Sequence, residues 1–276
     1  MVKVIELIIK DIVNKLNSEN IISFTPVGSL SNNIKKLNKF NDLDLVIIYN
    51  KINKSNLKKL NEIVKSIKER YSTLDIGITH TFKIGPIKLL SEKPKTIMIH
   101  FLVYSVDSYL KYESNLTRFS FQHYKNLIGK PLSQLSKSET IGQEDLFNNM
   151  DGIPAIKRWI LSKEGEYIEP IGDKLKFGKL KLENTQYLEI IFYSILRLAS
   201  NMVRLKRGYI ELDKNMCEKF SKEFQIKMRD FPTEVLKLKN ILRNGRKFDS
   251  NKINELKIMS LEFVKECEGI LKRYKS

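Results

Sequence analysis

The chain has 276 residues, 42% hydrophobic, 9% aromatic and 29% charged, a composition that excludes wholesale disorder and suits one large domain or two smaller ones. Its 49 Lys and Arg outnumber 32 Asp and Glu, giving a formal charge of +17 that is carried by 39 Lys against 10 Arg. No apolar run reaches the roughly 18 residues of a membrane span. Residues 1–15 set Glu6 and Asp11 inside their apolar pattern, unlike a secretory signal. Cys217 and Cys267 have neither a disulfide framework nor metal-ligand spacing, so the expectation is a cytoplasmic protein without membrane spans.

Residues 2–16 carry Val4, Ile5, Leu7, Ile8, Ile12, Val13 and Leu16 at a helical period, which predicts an amphipathic helix. Residues 21–27 are a short apolar run ending at Gly28-Ser29, a buried strand followed by a turn. Residues 31–39 are polar and Lys-rich, a helix or a loop. Leu43 and residues 45–49 form a second strand, too continuously apolar to be exposed on one face. Helical spacing returns in residues 56–71 through Leu57, Leu60, Ile63, Val64 and Ile67. Residues 75–90 read as a β-hairpin punctuated by Gly85-Pro86, and residues 96–105 (TIMIHFLVYS) as another buried strand. Residues 131–183 are polar and hold Pro131, Pro154 and Pro170, a connector with one short helix near Trp159. Beyond it, Leu188, Ile191, Ile195, Leu198, Met202 and Leu205 share one helix face, with breaks at Gly208, Pro232 and Gly245. The expected organisation is a mixed-sheet domain over residues 1–130, the connector, and a helical domain over residues 184–276.

One constellation carries chemistry. Gly28-Ser29 is followed after twelve residues by Asp42-Leu43-Asp44, which leads into the strand LVIIY. Residues two apart on a strand share a face, so the two carboxylates sit side by side and repel unless a cation neutralises them. Oxygen ligands of this kind suit Mg²⁺, which binds one or two carboxylates together with substrate phosphates. Gly28 permits close backbone approach, and Ser29 offers N–H and O–H groups to a phosphate oxygen.

The segments VGSLSNN and NDLDLVIIY, in that order and spacing, resemble the signature of the nucleotidyltransferase superfamily, the DNA polymerase β-like fold. The resemblance implies an α+β fold, a nucleotidyltransferase-type mixed sheet with helices packed on one face, followed by an all-helical C-terminal domain. It also implies a third acidic residue on a later strand. In TIMIHFLVYS that position falls on His100 or, less well, Met98, neither of them an acid; Asp75 is the nearby carboxylate that could substitute. Imidazole can ligate a metal or accept a proton near neutral pH, so His100 stands as a catalytic candidate beside the reading of a hydrogen-bonded strand residue. His80 and His123 read as structural.

The segment LEIIFYSILRLASNMVRLKRGYIELDKNMCEKF resembles the helical domain of aminoglycoside adenylyltransferases. There a helix Arg and a Lys beyond a Gly turn face the triphosphate. The matching positions are Arg197, Gly208 and Lys214, with Arg204 the alternative to Arg197. A cation here would stabilise the departing pyrophosphate.

The resemblance implies metal-dependent transfer of a nucleoside monophosphate from a nucleoside triphosphate, ATP or CTP, to an acceptor hydroxyl. Mg²⁺ or Mn²⁺ would lie on Asp42 and Asp44, the nucleotide on Gly28, Ser29, Arg197 and Lys214, and the site between the two domains. The charge of +17 favours RNA, such as a tRNA 3′ end, as acceptor. A polycationic antibiotic fits less well, because few acids, Glu183 and Glu189 among them, precede the core helix. A small molecule, a protein hydroxyl, and a non-catalytic nucleotide-binding role are the alternatives.

Overall fold

In the computed structural model the chain runs α1 (Val2–Lys15), β1 (Ile21–Val27), β2 (Asn41–Tyr49), α2 (Lys54–Arg70), β3 (Gly77–Lys83), β4 (Thr96–Ser105), α3 (Val106–Tyr112), β5 (Ile128–Gly129) and α4 (Leu132–Leu135). It continues through α5 (Gln143–Ser162), β6 (Glu164–Ile171), β7 (Lys174–Lys181), α6 (Asn184–Arg207), α7 (Met216–Glu223), α8 (Phe231–Arg243) and α9 (Ser250–Lys275). The structure describes residues 2–16, 20–28, 41–73, 77–83, 96–112, 118, 121, 124–136, 140–171, 174–209 and 215–275, in some places by backbone alone, as at Asp42, His80 and Met98. The predicted hairpin turn Gly85-Pro86 and the helix or loop at 31–39 lie outside them.

Two compact units emerge, one of Met1–Glu113, Phe121–Lys137 and Glu166–Lys179, the other of Ser114–Ser120, Ser138–Gly165 and Leu180–Ser276. The first is built on a seven-stranded mixed sheet of order β5-β1-β2-β4-β3-β6-β7. β2 is antiparallel to β1 and parallel to β4, and β4 is parallel to β3. Central strands are covered on both faces, which is why β2 and β4 read as unbroken apolar runs. On one face Leu43, Leu45, Ile47, Ile97, Ile99 and Phe101 are fully buried with Ile5, Ile8 and Ile12 of α1 and Leu60, Val64 and Ile67 of α2. Each such side chain contributes about 1.5–3 kcal/mol by leaving water. On the opposite face a smaller cluster joins Val27, Val46, Ile48 and Tyr104 to Tyr109 of α3 and Leu132 of α4.

Asp11 of α1 ties the two long helices together. Arg70 Nη1 donates to its Oδ1 at 2.6 Å and the Tyr71 hydroxyl to its Oδ2 at 3.0 Å.

The reading of residues 75–90 as a hairpin is corrected in one respect. β3 has β4 on one side and β6 on the other, where Phe82 pairs with Ile168. Both of its edges are therefore taken by strands from outside that segment. The stretch 131–183 holds more than one short helix. It carries the 20-residue α5 and the strands β6 and β7, because Gly152 and Pro154, which signal a turn in sequence, stand inside α5.

The second unit is helical around α6, whose buried residues include Tyr187, Leu188, Ile191, Ile195, Leu198 and Met202. Gly208, at φ +70°, closes that helix in the left-handed conformation glycine adopts without strain. Phe220, Phe224, Phe231 and Phe263 form an aromatic cluster with ring centroids 4.7–5.8 Å apart. Among the described residues, no helix is long and apolar enough to cross a membrane.

Candidate active site

β1 ends at Val27, which pairs with Asp44 of β2, and Gly28 follows at φ +84°. An L side chain is strained at that φ. Space forbids one as well, since a Cβ on Gly28 would stand 2.8 Å from Asp44 Oδ2. The glycine thus lets the backbone pass directly over the carboxylate. Asp44 is 7% exposed, between Leu43 and Leu45, which point into the large core. Strand alternation puts it on the opposite face, in line with Val46 and Ile48.

Across the parallel β2–β4 ladder, Asp44 pairs with His100 and Asp42 with Met98. The row continues to β3, where Thr81 is the partner of His100. His100 is fully buried. His100 is thus the strand neighbour of Asp44, and Met98 that of Asp42. Asp42 lies on β2 two residues before Asp44, with its side chain beyond those described. Ser29, Asp75, His123 and Lys214 lie outside the described residues.

A nearly buried carboxylate calls for a compensating positive charge or strong hydrogen bonds. Among the described residues, no group of three or more His, Cys, Asp or Glu side chains is placed to hold a metal ion.

In the helical unit, Tyr193, Arg197 and Arg204 share one face of α6, all three partly buried. Arg197 Nη1 donates to the Tyr193 hydroxyl at 3.2 Å, with its guanidinium carbon 5.9 Å from the ring centroid. Burial, and after it the charge of Arg197, lowers the Arg204 pKa from its ordinary value. Both arginines that the sequence offers as alternatives are thus close enough to repel, an arrangement suited to a polyanion.

The network behind Arg204 has little trace in the sequence. Arg204 donates to Asn201 Oδ1 at 3.4 Å, Asn201 Nδ2 to Asn149 Oδ1 at 2.9 Å, and Asn149 Nδ2 to the Asp145 carbonyl at 2.6 Å. Its one sequence signal is an Asn between the apolar Ala199 and Met202 of a core helix. Glu189 has a different role from that of a free acid. It is 5% exposed and takes a two-pronged grip from Arg243, at 2.8 and 3.1 Å.

No protein-family model matches the chain, and no curated protein matches it. Among solved structures it is similar to the spectinomycin adenyltransferase AAD(9) from Enterococcus faecialis, crystallised with ATP and spectinomycin. The likeness has a TM-score of 0.57 at 12% sequence identity and covers 97% of this chain and 99% of that one. The chain has the nucleotidyltransferase-type fold, with the mixed sheet and the C-terminal helices both included in the match.

Proposed function

We propose that the protein is an ATP-dependent nucleotidyltransferase that moves AMP from ATP to a hydroxyl of a small molecule. The observation that carries this is Gly28 closing over the Asp44 carboxylate on neighbouring strands, in the fold of an adenyltransferase whose crystal structure holds ATP.

Asp42 and Asp44 are the residues that would hold a divalent cation, which when bound neutralises charge on the triphosphate. Gly28 and Ser29 would offer backbone donors to phosphate oxygens, and Arg197, Arg204 and Lys214 are the cations that would offset the charge of a triphosphate. The acceptor oxygen bonds to the α-phosphorus while the bond to the bridging oxygen breaks. Pyrophosphate departs and the hydroxyl proton passes to solvent.

The acceptor is neutral or anionic on this reading. With a net charge of +17 the protein repels a polycation, and Glu189 is already held by Arg243. The same charge favours a second reading, RNA as acceptor, through neutralisation of its phosphates.

The deciding experiment incubates the purified protein with Mg²⁺ and ATP labelled at the α-phosphate, against separate pools of small molecules, RNA and protein. Label on a small molecule, with release of pyrophosphate, is the expected result. Label on RNA, together with RNA binding that drops steeply between about 50 and 200 mM salt, transfers the assignment to the second reading. Neither ATP binding nor transfer to any pool refutes both.

A further inference from the structure

We propose that His100 is a positioning residue: its imidazole holds the Asp44 carboxylate in place by a hydrogen bond and does not take the acceptor's proton. The inference rests on the reading of Asp44 as a cation-binding residue of a nucleotidyltransferase.

Three observations carry it. First, Asp44 and His100 are partners in register on adjacent parallel strands, about 4.8 Å apart along the hydrogen-bonding direction. Both stand on the same face, because Val46 and Ile48 after Asp44, and Leu102 and Tyr104 after His100, all line the smaller apolar cluster. Second, His100 is fully buried, whereas Asp44 keeps 7% exposure. A general base must come within hydrogen-bond reach of the proton it removes, and a fully enclosed ring meets no acceptor arriving from solvent. Third, Asp44 is bracketed. Gly28 closes it from the β1 side, where a Cβ would be 2.8 Å from Oδ2, and His100 is its neighbour on the β4 side.

Buried polar groups make hydrogen bonds, and a neutral imidazole has one N–H to donate. Donated to Asp44, it leaves the remaining carboxylate lone pairs aimed at the cation and fixes their direction. Carboxylates that bind metals are commonly oriented by such outer partners, whose removal costs about 10–100-fold in metal affinity. A third carboxylate at position 100 would add negative charge beside Asp44; a neutral imidazole adds a donor instead. The two substitutes differ in kind. One enlarges the set of ligands, whereas the other stiffens a ligand already present.

The test is Mn²⁺ binding in the presence of ATP, followed by electron paramagnetic resonance and calorimetry, with turnover measured in parallel. The proteins are wild type, Asp44→Asn, His100→Leu, His100→Asn and His100→Gln, each checked for folding by circular dichroism. Mn²⁺ affinity is expected to fall about 10–100-fold in His100→Leu and to recover to within a few-fold of wild type in His100→Asn or His100→Gln, whose amides keep a donor. The wild-type spectrum should show no nitrogen bonded directly to Mn²⁺.

Directly bound nitrogen would make His100 a metal ligand and overturn the proposal. Unchanged Mn²⁺ affinity in His100→Leu with turnover down by about 10²–10⁴ would make it a base and overturn the proposal equally. Failure of both amide variants, if folded, to recover binding would do the same. Should His100→Leu not fold, the amide variants and the wild-type spectrum decide. Asp44→Asn binding Mn²⁺ as wild type does would refute the underlying reading of the site, an outcome separate from all of these.

Discussion

Gly28 and Asp44 are fitted to each other more tightly than any side chain would allow: a methyl group on the glycine would lie 2.8 Å from the carboxylate oxygen, at a φ of +84°. Gly28→Ala must either move the carboxylate or unwind the end of β1. The left-handed conformation alone costs a non-glycine residue about 1–2 kcal/mol. The expected outcome is a modest loss of thermal stability with a disproportionate loss of Mn²⁺ and ATP binding. Calorimetric titration beside a melting curve checks it, and unchanged affinity would show that the carboxylate is not the group that binds.

Arg197 and Arg204 should act on the triphosphate and not on the nucleoside. Losing a hydrogen bond to a charged group costs about 1.5–3 kcal/mol, or roughly 10–150-fold in affinity. Arg204→Ala is therefore expected to weaken ATP by at least tenfold while leaving adenosine unaffected. Asn201→Leu, which removes the oxygen that Arg204 donates to, should shift ATP in the same direction by less. Equal losses for ATP and adenosine would point instead to a general disturbance of α6.

Ser194 and Ser260 have buried hydroxyls without a hydrogen-bond partner among the described residues. Burying an unsatisfied hydroxyl costs about 1–3 kcal/mol. Ser194→Ala and Ser260→Ala should each leave the melting temperature unchanged or raise it. A fall in either variant would reveal a hydrogen bond made by that hydroxyl in solution.

The acid side of the stability profile should depend on Lys157 and Glu268, which meet at 2.5 Å between α5 and α9. The hydrogen bond from Lys157, ahead of that from Lys272, holds the Glu268 carboxyl below its ordinary pKa. A carboxylate with a depressed folded-state pKa stabilises the fold above the unfolded value, near 4.3, and that contribution fades as pH falls through the folded value. Lys157→Met should be less stable than wild type at pH 7, and the gap should close on acidification below about pH 4. A gap independent of pH would assign the effect to packing of the lysine stem.

The strands that hold the site are legible in sequence because their chemistry is local. Unbroken apolar runs announce β2 and β4, the Gly28-Ser29 break ends β1, and the spacing of Asp42 and Asp44 marks the face. The identity of strand neighbours is a tertiary matter. Pairing of β3 with β4 and β6 leaves no trace in residues 75–90, which resemble a hairpin for that reason. α5 is hidden by Gly152 and Pro154, whose local preference for a turn is outweighed by the burial of Ile153 and Ile160. His100 can be placed opposite the acidic pair from its strand, whereas its complete burial depends on chain arriving from elsewhere. The grip of Arg243 on Glu189 and the link from Asn201 to Asn149 join residues 54 and 52 positions apart, beyond any periodicity.

The order of strands in the sheet also bears on how the protein is made. β3, complete at Lys83, waits for its outer neighbour until residues 164–171 leave the ribosome, with all of α5 synthesised in between. During that interval a nascent chain presents an open edge, the feature through which sheets recruit strands from other molecules. Slow elongation between Lys83 and Glu164 therefore lengthens the window for aggregation, and a chain released before β6 keeps that edge permanently exposed. The first unit is early in sequence and late in completion.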